Sequence, residues 1–140
     1  MFKFLSKLFV TIFCLLVVMT PVAFASSNYV EFSFSTGVGG NGYVDGSLNG
    51  KFYSFNKDNT ITISLTDSSD CAEGKYSVSL YIEDSWFGKG TYCGTNTFDS
   101  EPFALHGGTY SAPKTHSKYY LFVTGQGIRK KYSAYGSLSQ

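Results

Sequence analysis

Apolar and polar residues alternate with a period of two along most of this chain, as in strands with one buried and one wet face. Val30, Phe32 and Phe34 fall on one side of the first such segment, with Glu31, Ser33 and Ser35 opposite. Ile61, Ile63 and Leu65 alternate with Thr and Ser over residues 60–66, the most regular amphipathic stretch. Tyr76, Val78, Leu80 and Ile82 repeat the pattern, interleaved with Ser77, Ser79, Tyr81 and Glu83. Further strands are expected over 91–98, 118–124 and 130–138, with shorter pieces over 43–48 and 51–55. Turn signals separate them: Asn41-Gly42, Asn49-Gly50, Lys57-Asp58-Asn59, a bend over 83–90 and a glycine turn over 125–127. Residues 99–117, with Pro102, Gly107-Gly108 and Pro113, read as irregular apart from one short strand near Phe103.

No segment keeps helical spacing for more than two turns. About seven to nine short strands with frequent turns predict an all-β fold, an antiparallel β-sandwich of immunoglobulin-like or jelly-roll-like type. Residues 74–80, Gly-Lys-Tyr-Ser-Val-Ser-Leu, resemble the later strand of such sandwiches. That likeness implies architecture and nothing about function.

The first 25 residues break the pattern. Lys3 and Lys7 precede an apolar run from Leu8 to Met19, and Ala23-Phe24-Ala25 supplies a small-x-small cleavage site. The run is shorter than the ~20 apolar residues that span a bilayer and matches a cleaved secretory signal. The expectation is a signal peptide over 1–25 and one secreted, extracellular domain over 26–140, with no transmembrane segment after cleavage.

Composition agrees with strands. The chain holds 11 Tyr and 13 Phe but few strong helix formers in the presumed mature part, and its aromatic content is too high for disorder. Loss of Lys3 and Lys7 leaves nine basic residues against 10 acidic ones. All acids lie between Glu31 and Glu101, whereas Lys114, Lys118, Arg129, Lys130 and Lys131, with His106 and His116, follow without an acid among them. Such a gradient predicts one basic face.

Cys14 lies in the signal, so Cys71 and Cys93 are left as a pair. An even pair in an exported domain predicts a disulfide, and two cysteines without further Cys or His ligands do not make a zinc site. A tight hairpin centred on Asp84-Ser85 would set Cys93 opposite Tyr76, with Cys71 in a loop pinned to that returning strand.

Catalytic chemistry finds no constellation. No Gly-x-Ser-x-Gly elbow is present, and His106-Gly107-Gly108 lacks a nucleophile to serve. Glu31, Glu83, Asp84, Asp99 and Glu101 show no spacing that singles out a glycosidase pair. Asn59, Asp67 and Asp70 lack a calcium-loop spacing. The glycines over 37–42 precede a strand rather than a helix, so they are not a phosphate loop. No catalytic residue, metal or cofactor is expected.

The candidate ligand-binding residues are therefore Trp86 and Phe87 in the 83–90 bend and the late bases Lys114, His116, Lys118, Arg129, Lys130 and Lys131. Rings at a bend can stack on sugars or enter a membrane interface, and clustered bases attract anionic polymers or headgroups. The expected function is a non-enzymatic interaction protein contacting an anionic extracellular or envelope surface: polysaccharide, wall polymer or lipid. Nucleic acid is not expected outside the cell. The alternatives are a self-associating surface or matrix protein, a secreted antibacterial, and last a small hydrolase. Lys114-Thr115-His116-Ser117, followed by a strand and glycines, is similar to a tract of lactococcin-type secreted bacteriocins, which implies the antibacterial alternative.

Overall fold

The computed structural model describes residues 28–37, 41–46, 49–84, 90–127 and 129–140. The expected signal peptide lies outside these residues, as do Trp86 and Phe87. Nine strands and no helix occupy the described residues: β1 (Tyr29–Ser35), β2 (Asn41–Tyr43), β3 (Tyr53–Phe55), β4 (Thr60–Asp67), β5 (Gly74–Ile82), β6 (Thr91–Ser100), β7 (Leu105–Ser111), β8 (His116–Gln126) and β9 (Ser133–Ser139). They form two antiparallel sheets, packed face to face, as the alternation predicts. One has four strands in the order β1-β9-β4-β7. The other has five, in the order β2-β8-β5-β6, with β3 also paired to β8.

Period two decides which residues meet in the core. Phe32, Phe34, Ile61, Ile63, Leu65 and Leu138 project inward from the four-stranded sheet. Tyr76, Val78, Leu80, Ile82, Leu121 and Val123 meet them from the other. Burying an aliphatic or Phe side chain of this kind contributes roughly 1.5–3 kcal/mol, and these layers dominate the stability of the fold. Tyrosines enter the core where their hydroxyls find acceptors. Tyr110 crosses from one sheet to donate to the Val78 carbonyl of the other at 2.9 Å.

Two expectations fail. Residues 105–111 form a full strand, β7, paired along its length with β4. Gly108 answers a packing need rather than a turn: a Cβ there would stand 2.5 Å from Asn96 Oδ1 on the opposing sheet.

The disulfide expectation also fails. Cys71 and Cys93 are both free thiols, the first buried and the second half-buried. The β5–β6 hairpin closes at Ile82↔Thr91, so Tyr76 faces Phe98 rather than Cys93. Cys71 precedes the Gly74↔Ser100 end of that ladder, while Cys93 follows the Leu80↔Gly94 pair at its other end. Six ladder steps at ~3.3 Å separate those ends by about 20 Å, far beyond the ~7 Å a bridge allows.

Candidate functional site

The late bases do not converge. Lys114, His116 and Lys118 sit at the start of β8, while Arg129, Lys130 and Lys131 follow its far end, 11 strand residues away. Three of the six meet acids from earlier in the chain. Lys114 Nζ lies 2.9 Å from Asp84 Oδ2, Lys118 3.9 Å from Glu83 Oε1 and Lys131 2.5 Å from Asp70 Oδ2. Lys130 donates to the Glu73 carbonyl at 2.6 Å, and the His116 ring accepts from the Lys118 amide at 3.1 Å. Hydrogen bonds from Lys131 and Ser133 hold the Asp70 carboxyl below its ordinary range, and those from Thr91 and Lys114 do the same for Asp84. The sequence gradient of charge is thus partly paired off by folding. Exposed pairs of this kind add little stability each.

A different surface gathers chemistry. A groove of about 760 Å³ lies along the outer face of the four-stranded sheet, lined by residues of all its strands and by Lys51. Strand register explains its make-up. Ser33, Tyr135, Thr66 and Leu105 stand side by side across β1, β9, β4 and β7. Glu31, Ser137, Ser64 and Gly107 form the next row, and Tyr29 begins the row beyond. The inward partners of these positions are core residues, so period two obliges this set to face solvent. Tyr29 is 60% exposed, Tyr135 54% and Leu105 80%, unusually high for such large apolar groups. Glu31 is the single carboxylate in the lining. It accepts a hydrogen bond from the Tyr29 hydroxyl at 3.3 Å. The Lys51 ammonium is 3.8 Å from the buried Asp45 carboxylate and 3.5 Å from the Glu31 carbonyl, so its charge is partly engaged.

A buried polar cluster supports the floor. Asp67, at the end of β4, is fully buried. Its Oδ1 accepts from the Tyr76 hydroxyl at 2.6 Å, while Oδ2 lies 2.9 Å from His106 Nε2 and 3.3 Å from the Glu101 amide. Burial first, and then the bond to Asp67, pushes the Tyr76 phenol far above its usual range. The tyrosine is a locked donor, not an acid. Asp45 plays the same part beneath the groove's edge, accepting from Tyr53 and from Asn49 at 2.8 Å. No described buried side-chain polar atom lacks a partner. The His106–Asp67 contact has the look of part of a catalytic relay, but Asp67 is sealed in the core. Among the described residues, no group of three or more His, Cys, Asp or Glu could hold a metal ion. No described helix is long and apolar enough to cross a membrane.

No sequence reading singled out this groove, whose residues come from strands more than 100 positions apart. The available signal was Glu31 and Ser33 facing away from Phe32 and Phe34. Alternation gives the face of a strand but not its neighbours.

No protein-family model matches this chain, and no curated protein matches it. Among solved structures, the chain is similar to the N-terminal endo-1,4-beta-D-xylanase 10B of Clostridium thermocellum, its CBM22-1 and GH10 modules complexed with xylohexaose. The TM-score is 0.46 at 12% identity, over 81% of this chain and 26% of that one. The chain thus spans about a quarter of that protein's length. The groove, rather than this likeness, carries the functional reading.

Proposed function

We propose that this is a secreted, non-enzymatic protein that binds polysaccharide, and that it takes a neutral glycan chain in the groove of the four-stranded sheet. The observation that carries the reading is the lining itself: exposed Tyr29 and Tyr135 rings beside Ser64, Ser137 and Thr66 hydroxyls, with one carboxylate. Sites for small polar ligands combine apolar walls with a few placed polar groups, and tyrosine provides both in one side chain. A sugar offers an apolar ring face to tyrosine and hydroxyls to serine or carboxylate. A single lining carboxylate supports binding over hydrolysis, since glycosidases work with two. Retention of the protein on insoluble neutral polysaccharide tests the proposal. Tyr135→Ala is expected to lose it; retention as strong as wild type would reject the groove.

A second reading keeps the anionic partner. Arg129 and Lys130 are exposed and have no carboxylate within ion-pair distance among the described residues, which supports contact with an anionic polymer or lipid at that corner. Binding there weakens steeply with salt, whereas a neutral chain in the groove is nearly indifferent to it.

A further inference from the structure

The groove's rows have an order that says more than its composition. Tyr29 pairs with Ser139, Glu31 with Ser137, and Ser33 with Tyr135 along the β1–β9 ladder. Tyr29 and Tyr135 therefore stand four residues apart along the strands, about 13 Å, with the Glu31 row midway. A pyranose ring is close in size to a tyrosine ring, so one sugar covers one platform. A ligand touching both rings needs at least one further unit between them. Both rings lie on the neighbouring strands β1 and β9, so a chain that touches both runs along that ladder.

We infer that the groove reads a linear chain of at least three sugar units laid along β1 and β9, with Glu31 selecting a neutral unit at the middle position. This rests on the glycan-binding reading above and adds chain length, direction and a charge rule to it. The middle row offers the Glu31 carboxylate with the Ser137 and Ser64 hydroxyls. Gly107, at the end of that row, has room above it: a Cβ there would meet only the Ile63 carbonyl oxygen, at 3.9 Å. Glu31 Oε1 is engaged by Tyr29, and its other oxygen has no protein partner among the described residues. A carboxylate accepts strongly from sugar hydroxyls and repels a carboxylate on the ligand. A uronic acid at the middle position is thereby rejected, while a neutral diol is held. The nearby Lys51 ammonium does not reverse the sign, being shared with Asp45 at 3.8 Å.

The test is calorimetry on the folded protein with neutral cello- and manno-oligosaccharides of one to six units, and with oligogalacturonides. Affinity is expected to rise by about tenfold between two and four units and then level. Tyr29→Ala is expected to remove that rise, so that chains of four units bind no more tightly than disaccharides do. Glu31→Gln is expected to weaken the neutral chains several-fold and to narrow the gap to the oligogalacturonides. Disaccharides binding as tightly as hexamers, or Tyr29→Ala costing the same factor at every length, would overturn the three-unit chain and leave the groove reading standing. Oligogalacturonides that bind wild type as well as neutral chains would overturn the role of Glu31. Absence of binding by any neutral chain would overturn both readings.

Discussion

The two sheets present outer faces of similar residue types and opposite condition. On the five-stranded sheet the hydroxyls satisfy one another: Ser77 bonds Thr97 at 2.7 Å and Ser79 bonds Thr95 at 2.6 Å. Its tyrosines do likewise, with Tyr81 stacked on Tyr120 at 5.5 Å and packed against Tyr92 at 5.6 Å. On the four-stranded sheet, Tyr29 and Tyr135 stand apart, and no hydrogen bond joins Ser64 to Ser137 among the described residues. A face whose groups are already paired has little to offer a ligand. A face with the same chemistry held open, over a buried carboxylate that stiffens it, is the better receptor.

The largest expected effect concerns that stiffening. Asp67→Ala strands the Tyr76 hydroxyl, His106 and the Glu101 amide in or near the core, and should cost about 4 kcal/mol in a urea melt. Ser79→Ala on the other face should cost no more than about 1 kcal/mol, since its partner Thr95 stays exposed to water. Equal losses would show that Asp67 is not the support described.

Next in size is binding. Tyr135→Ala should weaken glycan affinity about tenfold, equivalent to ~1.4 kcal/mol, and Tyr92→Ala should change it by less than twofold. The reverse order would move the site to the five-stranded sheet.

Thiol chemistry tests the hairpin that carries Tyr81 and Tyr92. The denatured domain of residues 26–140 should yield two reactive thiols. In the native protein, burial pushes the Cys93 thiol up to about 11, so its alkylation should still be accelerating above pH 9, where an ordinary cysteine has levelled. Recovery of a Cys71–Cys93 disulfide would refute the register of β5 and β6.

A smaller effect comes with acid. Asp70 and Asp84 have folded pKa values below their unfolded ones, so their contribution is present above about pH 4 and vanishes as pH falls through the folded values. Asp70→Asn should flatten the stability profile below pH 4 and lower stability slightly near neutrality, where the carboxylate's contribution is otherwise full. The smallest effect is expected from replacing Arg129, Lys130 and Lys131 together by Gln. Groove binding should not change, and a marked loss would favour the anionic corner.

What the sequence reveals follows the same contrast. β4 and β5 are legible because each alternates aliphatic or aromatic residues with hydroxyls, one face in oil and one in water. β7 is hidden because its inward positions are His106, Gly108 and Tyr110 while Leu105 points out, so hydropathy along it carries no period. Gly136 is similar: a Cβ there would sit 2.0 Å from the Ser64 carbonyl oxygen, so packing and not a turn demands glycine. The run of bases after Glu101 misleads because folding sets Lys114 and Lys118 beside Asp84 and Glu83, where β8 pairs with β5 in one sheet. Groove and ion pairs alike depend on which strands become neighbours, a long-range outcome that local alternation does not encode.

The most direct measurement is amide chemical-shift mapping during titration with a neutral oligosaccharide of four units. Perturbations should centre on Tyr29, Glu31, Tyr135 and Ser137. Shifts gathered instead around Tyr81 and Tyr92, or around Arg129 to Lys131, would contradict the account.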